Sequence, residues 1–130
     1  MRQAWWLVLV WAAALWAQEV DPEKKYMPAF AAAHQAIDAS RAAGMDKQEL
    51  EKAAGEVEKV LRILEETGKP PYKNAKHYKK AELKTREILR RIDTLLRDAG
   101  VEERESLQNA HDRVQRVHEK LLEGVMMKKP

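Results

Sequence analysis

Apolar residues recur along this chain at steps of three and four, the spacing that keeps one stripe of a helix turned toward a partner. Breakers divide the stripes into four segments. The first begins near Pro22 or Pro28, carries Met27, Phe30, His34, Ile37 and Arg41 on its seam, and closes at Gly44. Proline suits a first helical turn and disfavours helical geometry in the residue before it, here Met27. Asp46 is placed to cap the second helix, with Glu49 three residues on in a capping-box pattern. Leu50, Ala54, Val57, Leu61 and Leu64 form its seam, Thr67-Gly68 end it, and Lys69-Pro70-Pro71-Tyr72 is a connector. The third helix carries Tyr78, Ala81, Thr85, Ile88, Ile92, Leu95 and Ala99, widened by Leu89 and Leu96, and ends at Gly100. The fourth starts around Val101–Glu103, shows Leu107, His111, Val114, His118, Leu121 and Val125, and frays near Gly124. Four amphipathic helices with short connections predict an all-α, antiparallel up-down-up-down four-helix bundle.

The first segment of the chain has another character. Met1-Arg2 precedes an uncharged apolar run from Ala4 to Leu15, then Ala17, and polarity rises at Glu19. This is the layout of a cleavable signal peptide, and the run falls short of the roughly 20 residues of a membrane span. Residues 1–17 are therefore read as signal peptide, 18–124 as the bundle and 125–130 as a carboxy-terminal tail. Cleavage after Ala14, or an uncleaved anchor, are the alternatives. The expectation is an exported protein, periplasmic in a Gram-negative host, without stable membrane insertion once the leader is removed.

Charge narrows the partners. The chain has 24 Lys+Arg and 21 Asp+Glu. Loss of residues 1–17 takes one arginine, all four tryptophans and no acid, so the remainder is close to neutral. Basic pairs such as Lys79-Lys80 and Arg90-Arg91 alternate with acids, which describes a solvated helix face better than a nucleic-acid site. The absence of cysteine removes disulfides, thiolate metal sites and thiol nucleophiles. No phosphate loop, nucleophile elbow or HExxH motif is present, and Glu58-Arg62 and Glu82-Arg86 have the spacing of surface pairs. Nothing in the chain points to an enzyme.

Candidate chemistry lies in the histidines. On the seam above, His111 and His118 point inward, two turns or roughly 10 Å apart, and a buried imidazole requires a hydrogen-bond partner or a metal. If the first and fourth helices are antiparallel neighbours, Met27 lies level with His118 and His34 with His111. A thioether facing an imidazole across a bundle can hold a haem iron from both sides. His77, between Lys76 and Lys79, reads as exposed.

With Tyr26-Met27 early, Lys69-Pro70-Pro71-Tyr72-Lys73 in the middle, Ile88-Leu89-Arg90-Arg91-Ile92-Asp93, and Gln115-Arg116-Val117-His118-Glu119-Lys120 late, the chain resembles the soluble four-helix cytochromes, the cytochrome b562 and cytochrome c′ group. The resemblance implies haem b held by Met27 and His118, with His34 and His111 shaping the site, electron transfer to a redox partner protein, and a possible homodimer. Val114 and Val117 occupy the cysteine positions of the family's Cys-x-x-Cys-His, so covalent attachment is excluded. Two other readings stand beside this one. The first is a haem-free relative acting as a helical interaction or chaperone-like protein. The second is a transition-metal binder using His34, His111 and His118, with Met126-Met127 as a weaker copper signal.

Overall fold

The structure, a computed structural model, describes residues 21–67 and 75–126. The expected signal peptide, the Lys69–Tyr72 connector and the last four residues lie outside them. Four helices follow one another: α1 Pro22–Ala42, α2 Lys47–Thr67, α3 Ala75–Asp98 and α4 Val101–Met126. None is long and apolar enough to cross a membrane.

Local chemistry accounts for the boundaries. Asp21 caps α1 by accepting the Glu23 N–H at 3.1 Å, with Pro22 at the first helical position. The helix continues through Pro28, so Met27 is helical after all. Pro28 removes one hydrogen bond near the helix start, and burial of Tyr26, Ala29, Phe30 and Ala33 around it outweighs that loss. Gly44 and Met45 then take left-handed backbone, with φ of 78° and 68°. The turn is locked by Ser40, whose carbonyl accepts the Met45 N–H at 2.6 Å and whose hydroxyl donates to the Asp46 carbonyl at 3.2 Å. Asp46 caps α2 through the Gln48 N–H at 2.8 Å.

The helices pack as a bundle in which α1 touches α2 and α3, and α4 touches α3 and α2. Helices α1 and α4 sit across a diagonal, without contact among the described residues. This differs from the neighbour relation assumed for the haem ligands. Ladder pairs fix the register of α1 on α3: Tyr26 with His77, Glu23 with Lys80, and His34 and Asp38 with Arg91. The separation along the chain stays nearly constant, 51 for Tyr26–His77 and 57 for Glu23–Lys80 and His34–Arg91, so these two neighbours run in the same direction.

Two predicted seams hold at Phe30, Ile37, Leu107, Val114 and Leu121, while the positions between these are displaced by one residue toward the amino terminus. In α4 the buried positions are Leu107, Ala110, Val114, Val117, Leu121 and Gly124, with His111 and His118 on the flank. In α1 they are Tyr26, Ala29, Phe30, Ala33, Ala36, Ile37 and Ser40, with Met27 and His34 half-buried beside them. The displaced stripes keep the same three-four spacing and leave the imidazoles with access to polar partners. In α2, Ala53 and Val60 are buried and Leu61 lies at the margin. The α3 seam is as expected, with Glu82 added to the buried set.

Gly124 is helical and buried, and it does not mark a frayed end. A Cβ placed there would overlap the ring of Tyr78, which packs flat on the α4 backbone from α3. Gly55 in α2 has open space around the same position. Opposite outcomes follow for one substitution. Gly124→Ala is expected to destabilise by about 1–3 kcal/mol through overpacking, whereas Gly55→Ala stabilises by about 0.5–1 kcal/mol through helix propensity. Thermal unfolding followed by circular dichroism reads both, and a stabilised Gly124→Ala would contradict the Tyr78 contact.

Candidate functional site

All four histidines are tied to α3. His77 belongs to it, His34 reaches it from α1, and His111 and His118 reach it from α4. Each meets a different set of groups, so the chain holds four separate polar rungs and no shared centre.

On the α1 side, an Arg91 N–H donates to His34 Nδ1 at 2.7 Å, and Arg91 also pairs with Asp38 at 3.4 Å. Partial burial and the positive charge of Arg91 hold the His34 pKa below its ordinary value. Lys84 adds to the depression, while Glu87 and Asp38 oppose it. One rung toward the start of both helices, the Tyr26 hydroxyl stands 3.3 Å from His77 Nδ1, with the two rings edge to face. Burial, reinforced by Glu23 and then Asp21, pushes the Tyr26 pKa up to about 12. The phenol is therefore a hydrogen-bonding group at any ordinary pH.

On the α4 side, His111 lies between two carboxylates, with Nε2 3.2 Å from Asp93 and Nδ1 3.4 Å from Asp112. Gln108 and His111 together lower the Asp112 pKa, the Gln108 hydrogen bond contributing most. His118 Nε2 is buried, 3.6 Å from a Glu82 oxygen and beyond hydrogen-bond reach. Glu82 is itself only 4 % exposed and is held by Arg86. A pair expected to be a surface contact is thus an ion pair at the edge of the core. The helix spacing is right for it, but only the tertiary position of α4 shows that it is covered.

These placements do not fit a haem. Met27 and His118 stand on helices that do not touch, and His118 is directed at Glu82. The interior between them is occupied by Tyr26, Phe30, Tyr78, Ile88 and Leu121, all 1 % exposed or less. A planar macrocycle needs an open slot, and filled cores do not supply one. The larger surface grooves are lined by other residues. One, of about 580 Å³, lies between Lys76, Lys79, Lys80, Leu83 and Val125. Another, of about 610 Å³, lies beside the Glu58–Arg113 pair, whose Nε donates at 2.6 Å. Nor do His34, His111 and His118 converge on a common ion, since each faces a different group of α3: Arg91, Asp93 and Glu82 respectively.

The feature that sequence reading missed is the segregation of charge. Helices α1 and α3 together carry eleven Lys/Arg against six Asp/Glu, and α2 and α4 carry eight against twelve. Because α1 neighbours α3 and α2 neighbours α4, the bundle has a positive side and a negative side. A tally by helix reveals the bias, but the neighbour order is needed to turn it into faces.

His34 gives a pH test. Its folded pKa lies below the unfolded value of about 6.5, so the unfolded chain takes up the proton first. Stability therefore rises with pH through that interval and falls as pH drops below about 6.5. His34→Gln is expected to flatten the decline in melting temperature between pH 7 and pH 5.5, and an unchanged decline would remove His34 as its source.

No family model matches the chain, and no significantly similar curated protein or solved structure is found.

Proposed function

We propose that this chain is an exported, haem-free, antiparallel four-helix protein that acts by binding an acidic protein surface through its α1/α3 side. Residues 1–17 serve as the export signal, and no redox chemistry is assigned. The observation that carries this reading is the charge segregation, which a chain of nearly balanced composition does not need for solubility. The positive side also has an apolar footing. Leu83 is 47 % exposed and shares a groove with Val125, rimmed by the ammonium groups of Lys76, Lys79 and Lys80. Apolar contact framed by like charge suits a protein partner of opposite charge, with the charges steering encounter and the apolar floor adding affinity. Acids interspersed along α3 disfavour a phosphate backbone.

Two triple variants of equal net charge separate face from composition. Lys76→Glu/Lys79→Glu/Arg90→Glu alters exposed positions of α3, and Lys52→Glu/Arg62→Glu/Arg116→Glu alters exposed positions of α2 and α4. On a polyglutamate matrix, the first is expected to elute at markedly lower salt than the second. Equal retention of the two overturns the face assignment.

The cytochrome reading is tested directly by haemin titration of the wild type beside His118→Ala. The expected result is a weak, unsaturable absorbance change, the same in both. A sharp low-spin Soret band at one equivalent, lost in the variant, would reinstate Met27 and His118 as ligands.

A further inference from the structure

The starts of α1 and α3 bring together a set of groups that the charged-face reading does not use. Asp21 stands at the α1 cap, Glu23 in its first turn and His77 in the first turn of α3. One oxygen from each carboxylate and one ring nitrogen of His77 lie within 4.8 Å of one another. Among the described residues, no other group of three such side chains meets this spacing.

We propose that Asp21, Glu23 and His77 form a binding site for one divalent transition-metal ion of the zinc class. Imidazole with two carboxylates is a borderline-soft donor set suited to Zn²⁺ and its neighbours, with a further position left to water. Ligand bonds of about 2.0–2.2 Å require the donor atoms to close in slightly. Two features of the site favour this. All three side chains are at helix starts and are partly exposed, so they can adjust without disturbing the core. The His77 ring is also positioned by a rigid group: Tyr26, wholly buried, holds its hydroxyl 3.3 Å from Nδ1 and its ring edge-on. Metal-ligating histidines depend on such supporting contacts for their orientation.

The carboxylate pair already attracts a cation. Lys80 places its ammonium 3.0 and 3.1 Å from the two oxygens of Glu23, as a monovalent competitor on a flexible, half-exposed arm. A metal ion therefore binds against Lys80, and the site predicts opposite effects for neighbouring substitutions. Its occupation would clip α1 to α3 and raise the melting temperature by linkage.

The test is isothermal titration of the chelator-stripped chain with Zn²⁺, alongside melting curves with and without the ion. One equivalent is expected to bind and raise the melting temperature. His77→Ala and Glu23→Gln should abolish that uptake, while Lys80→Gln should tighten it. Tyr26→Phe, which keeps the ring and removes the positioning hydroxyl, should weaken it about tenfold. His118→Ala, on the α4 side, should leave it unchanged. Circular dichroism of each metal-free variant confirms that helix content is retained. Absence of one-to-one uptake, or uptake that survives both His77→Ala and Glu23→Gln, overturns the proposal.

Discussion

The inward face of α1 mixes small and large residues. Ala29, Ala33 and Ala36 are buried there, interrupted by Tyr26, Phe30 and Ile37. Small residues on such a stripe leave room for neighbouring side chains, and the larger ones between them fill the core. The result is α1 seated against α2 and α3, with α4 on the far side of both. That seating determines which polar groups can meet. It puts Glu23, His34 and Asp38 beside Lys80 and Arg91, and it leaves the α4 histidines facing Asp93 and Glu82 on the opposite flank of α3.

The same order turns a modest compositional bias into a directional field. If α1 neighboured α4 in place of α3, the excess bases of α3 would face acids on both sides and largely cancel. With α1 and α3 adjacent, like charges accumulate on one side and are only partly relieved by the Glu23, Asp38 and Glu87 pairs. Surface ion pairs of this kind contribute little to stability individually. Their physical weight lies in the long-range potential, which orients an approaching partner before any contact forms.

Helix number, the Gly44 and Gly100 stops and the α3 stripe were legible because they rest on local chemistry: backbone breakers, caps and a three-four repeat. The α1 and α4 stripes were legible at Phe30, Ile37, Leu107, Val114 and Leu121 and off by one residue between them. At several inward positions the residue is small, as Ala33, Ala110 and Gly124 are, and carries a weak hydrophobic signal, while His34, His111 and Val125 one position later are larger; Tyr26 and Val117 stand in the same relation to Met27 and His118. Volume attracts attention in a sequence, but close helix approach selects for its absence. The neighbour order was harder still, since short connections are compatible with more than one circuit of four helices. His77 was read as a solvated residue because its partners, Tyr26 and Glu23, are about fifty positions away along the chain.

A step of one residue along a helix turns the side chain by about 100°, and this is what separates a ligand from a flanking rung. On the buried stripe, an imidazole has no water and must find a metal or a hydrogen bond. On the flank it reaches both the core edge and the charged surface, and carboxylates or guanidinium groups of the next helix can serve it. His34 and His111 show that outcome, each within reach of a charged partner on α3. His118 is the intermediate case, with its Nε2 covered and its nearest acid 3.6 Å away, because Glu82 is drawn toward Arg86 on its own helix. The polar groups of the bundle thus sort by one quantity, their angular distance from the small-residue stripe. The same quantity explains why a chain with four histidines keeps them apart around α3, where a metalloprotein core would gather them.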